Sequence, residues 1–103
     1  MSFFGFFGNK NNLEKIQEYL ENSAVVIDVR RLEEWNVGHI EGSIHIVLYL
    51  IPLKIKEIKA LNKSIIVVCK SGNRSGQAAR LLSKEGIDVV NGGAWQDVAK
   101  LMH

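Results

Sequence analysis

The sequence predicts an α/β fold, with a mostly parallel central β-sheet flanked by helices on both faces. Two runs, Ala24-Val25-Val26-Ile27 and Ile65-Ile66-Val67-Val68, are apolar without polar alternation, the pattern of strands buried on both sides. Segments of helical spacing lie before, between and after them, and strands that alternate with helices need the crossover connections of a parallel sheet. With 103 residues, 47% hydrophobic content and one proline, the chain suits one compact domain over residues 12–103, preceded by a Phe/Gly arm over residues 1–11.

The arm carries four phenylalanines separated by glycines, and is expected to pack loosely or extend an edge. It lacks the basic start and small-residue cleavage site of a signal peptide. From Asn12, a plausible N-cap, Leu13, Ile16, Gln17 and Leu20 recur at helical spacing, predicting a first helix over 12–22. The strand at 24–27 then exits at Asp28-Val29-Arg30. Leu32 to Asn36 suits a helical turn ended by Gly38, and Ile44-His45-Ile46-Val47 a short second strand. Pro52 fits the first turn of a helix, where its missing N–H is not needed, and Ile51, Ile55 and Ile58 align on one face of it.

The strand at 65–68 runs into Cys69, the only cysteine. Helical spacing resumes near Ser75 with Ala78, Ala79, Leu81 and Leu82, and Gly86 ends it. Val89-Val90 predicts a last strand, Gly92-Gly93 a tight connection, and Ala94 to Met102 a closing helix. In open parallel sheets reactive groups gather beyond the carboxyl ends of the strands, so Asp28 and Cys69 are both expected on that rim.

Composition excludes several classes of function. The net charge of +2 comes from 13 basic and 11 acidic residues spread along the chain, which is no nucleic-acid footprint. No stretch approaches the roughly 20 apolar residues that span a bilayer. A lone cysteine forms no internal disulfide and suits a reducing compartment, so the cytoplasm is the expected location. One cysteine and no spaced ligand pair argue against a metal site, and no cofactor is expected. His39 and His45, in or beside apolar segments, suit structural hydrogen bonding, and His103 is terminal.

The stretch Cys69-Lys70-Ser71-Gly72-Asn73-Arg74-Ser75-Gly76 has the makings of a nucleophile loop. A thiol attacks as thiolate, and an ordinary pKa of about 8.5 leaves little of it ionised at neutral pH. Gly72 and Gly76 let the backbone curl so that N–H groups face the sulfur, while Lys70, Arg74 and the following helix start add positive potential. A phosphate loop of the Gly-Lys-Ser/Thr type is absent. Asp28 and Arg30 are supporting candidates: a strand-end carboxylate near Arg74 would orient the loop, or form a plain salt bridge.

These residues resemble the rhodanese, or sulfurtransferase, family. Asp28-Val29-Arg30, Glu33-Glu34-Trp35 and Gly38-His39-Ile40-Glu41-Gly42-Ser43-Ile44 are similar to its aspartate-valine-arginine and glycine-histidine-isoleucine elements. Val68 to Ser75 is similar to its active loop, and Val90-Asn91-Gly92-Gly93 with Trp95 to the approach to its last helix. Two features depart from the family pattern: its early proline is delayed to Pro52, and its first edge strand is replaced by the arm.

The resemblance implies a rhodanese-like domain whose Cys69 carries sulfur as a persulfide, taken from a small anionic donor such as thiosulfate and passed to cyanide or a thiol. Lys70, Ser71, Gly72, Asn73, Arg74 and Ser75 would bind the donor. A sulfur-relay module acting only with protein partners is the alternative. A cysteine-dependent phosphatase or arsenate reductase fits less well, because that loop is one residue longer than the four-residue gap from Cys69 to Arg74.

Overall fold

The structure, a computed structural model, describes residues 10–102; the Phe/Gly segment of residues 1–9 and His103 lie outside the described residues. Four strands, β1 (Val25–Asp28), β2 (Ile44–His45), β3 (Ile65–Cys69) and β4 (Val89–Ala94), form one sheet of order β2-β1-β3-β4. Every pairing is parallel, as strand and helix alternation requires.

The apolar runs work as two faces. From β3, Ile65, Val67 and Cys69 join a core with Ile27, Ile51, Ile58, Ala78 and Leu82. Ile66 and Val68 point to the other side and join Ile16, Val26, Ile40, Val90 and Val98. Because side chains alternate along a strand, a segment covered on both sides must be apolar at every position. All five β3 residues are buried, and each large one contributes about 1.5–3 kcal/mol of transfer free energy.

Helices α1 (Lys10–Glu21), α2 (Leu32–Val37), α3 (Ile55–Ala60), α4 (Asn73–Lys84) and α5 (Trp95–Leu101) surround this sheet. Ile16 of α1 and Val98 of α5 pack on one face; Ile58 of α3, with Ala78 and Leu82 of α4, packs on the other. The Tyr19 hydroxyl donates to Asp88, tying α1 to the segment before β4.

Four local expectations are corrected. α1 begins at Lys10, two residues before the expected start at 12. β2 stops at His45, although the Ile46 and Leu48 N–H groups still donate to the carbonyls of Asp28 and Val29 at 3.0 and 3.1 Å. Pro52 lies inside a 3₁₀ helix over Leu48–Leu53, with α3 following it; its ring clashes with the carbonyl four residues back in an α-helix and has no N–H to donate, so only a short 3₁₀ piece spans it. Gly92-Gly93 is no turn but the continuation of β4, kinked where Val67 pairs with Asn91 and Val68 with Gly93. Gly92 is the residue skipped, and it is pressed onto the core: a Cβ there would lie 2.7 Å from Ile66 Cγ2 and 2.9 Å from Val98 Cγ2.

Candidate active site

Strand β3 delivers Cys69 to the carboxyl rim, and Asp28 ends the neighbouring strand β1. Beyond Cys69 the chain turns at once into α4, which starts at Asn73 rather than near Ser75. The turn needs Gly72 at φ +106°, a conformation that L side chains avoid. With it, the Gly72 N–H donates to Cys69 Sγ at 3.0 Å. The Ser75 N–H, in the first turn of α4, donates to the same sulfur at 3.4 Å, and the Ser75 hydroxyl stands 3.3 Å away. A helix start has unpaired N–H groups to offer and the positive end of its dipole.

Cys69 is 1% exposed. Burial is the largest single influence on its thiol and pushes the pKa up; the Ser75 hydroxyl and the N–H groups of Ser75, Gly72 and Ser71 together outweigh it and bring the thiol below its ordinary value. The thiolate is therefore favoured by directed donors, despite a dry setting.

The loop's two cations are placed differently. Lys70 is exposed and makes no ion pair among the described residues. Arg74 is held by Glu34 in a two-pronged pair, Nη1 to Oε1 at 2.7 Å and Nη2 to Oε2 at 3.0 Å. Glu34 Oε1 also accepts the Arg31 N–H at the start of α2, at 3.0 Å. The Arg74 side chain, first through its hydrogen bond, lowers the Glu34 carboxyl to about 2, and Glu34 in turn raises Arg74. So the expected pairing of Asp28 with Arg74 is corrected: Glu34 orients that guanidinium.

Asp28 and Arg30 pair with each other. Arg30 lays Nε and Nη2 along the Asp28 carboxylate at 2.8–3.0 Å and returns its own N–H to Oδ1 at 3.0 Å. Its Nη2 also donates to the Gly38 carbonyl at 2.7 Å, and the guanidinium lies 4.8 Å from the Trp95 ring centroid. Both residues are buried, so this is an internal brace joining β1, the segment after α2, and α5, not a surface salt bridge.

His45 donates from Nε2 to the Arg30 carbonyl at 2.7 Å, and His39 from Nδ1 to the Trp35 carbonyl at 2.8 Å. Both rings stack on Trp35, with centroids 3.5 Å away for His39 and 4.8 Å for His45. Among the described residues no three His, Cys, Asp or Glu side chains converge to hold a metal ion. No helix among them is long and apolar enough to cross a membrane.

Residues 12–97 match the family described as Rhodanese-like domain. The chain belongs to the rhodanese-like domain family. It is 35% identical over 77 residues to a Pseudomonas aeruginosa protein named thiosulfate sulfurtransferase GlpE, covering 75% of this chain and 69% of that one. It is 38% identical over 70 residues to YrkF of Bacillus subtilis, a protein named as a candidate sulfur carrier; this covers 68% of the chain but only 37% of that relative's length. A solved rhodanese-related protein from Thermoplasma volcanium superposes with a TM-score of 0.70 at 30% identity, covering 87% and 89% of the two chains.

Within this rhodanese-like site, sequence reasoning missed the roles of two residues. Glu34 stands 40 positions from Arg74, and only its acidic character at the start of α2 hints at a charged partner. Asn91 stands 16 positions from Ser75, whose hydroxyl it accepts at 2.6 Å; it was legible only as part of the segment resembling the family.

Proposed function

We propose that the protein moves a sulfane sulfur from thiosulfate or a persulfide donor, through a persulfide on Cys69, to a thiophilic acceptor such as cyanide or a thiol. The observation that carries this reading is the ring of donors on one buried sulfur: the Gly72 N–H at 3.0 Å and the Ser75 N–H at 3.4 Å. The Cys69 thiolate attacks the outer sulfur of thiosulfate; a sulfur–sulfur bond forms on Sγ as the donor's own breaks, and the electron pair leaves with sulfite. An acceptor then attacks the terminal sulfur and returns the thiolate. Inward N–H groups stabilise the anionic end of the persulfide, and Lys70, exposed at the surface, draws in an anionic donor.

Ser71, Gly72, Asn73 and Ser75 supply the loop that lies against the donor. Arg74 acts through its pair with Glu34, shaping the loop and adding a neutralised rather than a bare charge. The near-complete enclosure of Cys69 and the four-residue gap to Arg74 suit a single terminal sulfur better than a tetrahedral phosphate. The reducing cytoplasm is the setting that suits an unpaired thiol.

Intact mass spectrometry before and after exposure to thiosulfate tests the proposal. The expected result is a gain of one sulfur, removed by cyanide and absent in Cys69→Ser. No gain with an alkylatable Cys69 overturns thiosulfate as donor. Aryl-phosphate hydrolysis lost in Cys69→Ser overturns sulfur transfer itself. A second reading, a relay that takes sulfur only from a protein persulfide, is favoured by the likeness to YrkF; it predicts loading by a persulfidated protein where thiosulfate fails.

A further inference from the structure

The hydrogen-bond network behind the sulfur contains one proton that two acceptors want. Asn91 reaches across from β4: its Oδ1 accepts the Gly93 N–H at 2.9 Å, and its Nδ2 donates to the Gly72 carbonyl at 3.1 Å. Those two backbone partners set the amide's orientation, since an N–H can only donate and a carbonyl can only accept. The atom facing Ser75 is therefore Oδ1, and the Ser75 hydroxyl must donate to it, at 2.6 Å. A hydroxyl has one hydrogen. With it given to Asn91, Ser75 presents only lone pairs to Cys69 Sγ at 3.3 Å. That arrangement suits a thiol, whose S–H donates to Ser75; a thiolate gains the hydroxyl as a donor only when it turns from Asn91.

We infer that Asn91 is a positioning residue that keeps the Ser75 hydroxyl turned from the sulfur while Cys69 is a thiol and releases it when the sulfur becomes an anion. Rotation about one bond moves the hydroxyl hydrogen from Asn91 Oδ1 to Sγ; the thiol proton itself leaves to a base in solution. The exchange is feasible because Asn91 Oδ1 keeps the Gly93 N–H in either arrangement, so no buried acceptor is orphaned. Ser75 is fully buried, so water does not compete for the hydroxyl. Asn91 is half-buried and lines a cleft of about 570 Å³ with Ser71, Gly72, Gly93 and Val98, so truncating it opens onto the cleft rather than into the core. Ser75 thus raises or lowers the thiolate fraction according to which way it points, and Asn91 biases the choice.

This deepens the sulfur-carrier reading of Cys69, and its test needs no sulfur donor, so either can fail alone. The rate of iodoacetamide alkylation of the single cysteine is followed against pH in the wild type, Asn91→Ala, Ser75→Ala and the double variant, with circular dichroism as the folding check. The expected midpoint moves down by about one pH unit in Asn91→Ala, a tenfold change in thiolate fraction, and up in Ser75→Ala. In the Ser75→Ala background, Asn91→Ala changes nothing. An unchanged midpoint in Asn91→Ala, or an equal shift in both backgrounds, overturns the inference and leaves Asn91 a structural tether of Gly72. If Asn91→Ala does not fold, NMR of the wild type decides. The Gly93 amide resonance should move as Cys69 ionises and move less in Ser75→Ala; an identical response in the two proteins overturns the inference.

Discussion

Replacing Glu34 by glutamine removes the charge that holds Arg74 while keeping the shape of the side chain. In the wild type the carboxyl is held at about 2 against an ordinary 4.5, chiefly by its hydrogen bond to Arg74. At about 1.4 kcal/mol per pH unit this corresponds to roughly 3 kcal/mol of interaction with the ionised form. Water still reaches the pair, with 27% of the Arg74 and 21% of the Glu34 side chain exposed. Screening therefore brings the expected loss to about 1–2 kcal/mol. A carboxyl with a depressed folded-state pKa contributes fully above its ordinary value, and its contribution is lost as pH falls through 4.5 towards 2. Urea unfolding of wild type and Glu34→Gln at pH 7 and at pH 2.5, analysed by linear extrapolation, should show a gap at pH 7 that mostly closes at pH 2.5. A gap of the same size at both values, or none at pH 7, refutes the assignment of Glu34 as the electrostatic partner of Arg74.

Two further substitutions address the frame of the site. Arg30→Leu leaves the fully buried Asp28 carboxylate with only a backbone N–H; the expected cost is about 3–5 kcal/mol, read by urea unfolding, and a loss under about 1 kcal/mol shows that the brace is dispensable. Gly92→Ala drives a methyl to within 2.7 Å of Ile66 and 3.1 Å of Val68. It should lower stability by about 1–3 kcal/mol, and a neutral result means that β4 shifts outward at the kink.

The rim carrying Cys69 and Asp28 was readable because it follows from connectivity: once β1 and β3 are parallel neighbours, their carboxyl ends lie together. The partners of Arg74 and Ser75 were not readable in the same way. For Arg74 the sequence suggested Asp28, at a strand end, whereas the structure pairs it with Glu34 on α2. That pairing depends on where α2 lies relative to the start of α4, which no local pattern encodes. Asp28, moreover, was already committed to Arg30, two residues on, through a side chain folded back over the strand end.

By itself, the sequence determined the parallel sheet, through apolar runs that only two-sided burial explains, and the loop around Cys69, through glycines and a helix start next to it in the chain. These are local consequences of side-chain period and backbone freedom. The tertiary structure alone decided that β4 continues through Gly92 and Gly93, that Glu34 rather than Asp28 holds Arg74, and that Asn91 accepts the Ser75 hydroxyl. Each depends on how elements distant in sequence come together in space, and a glycine or a carboxylate does not announce its partner until the surfaces around it have been packed.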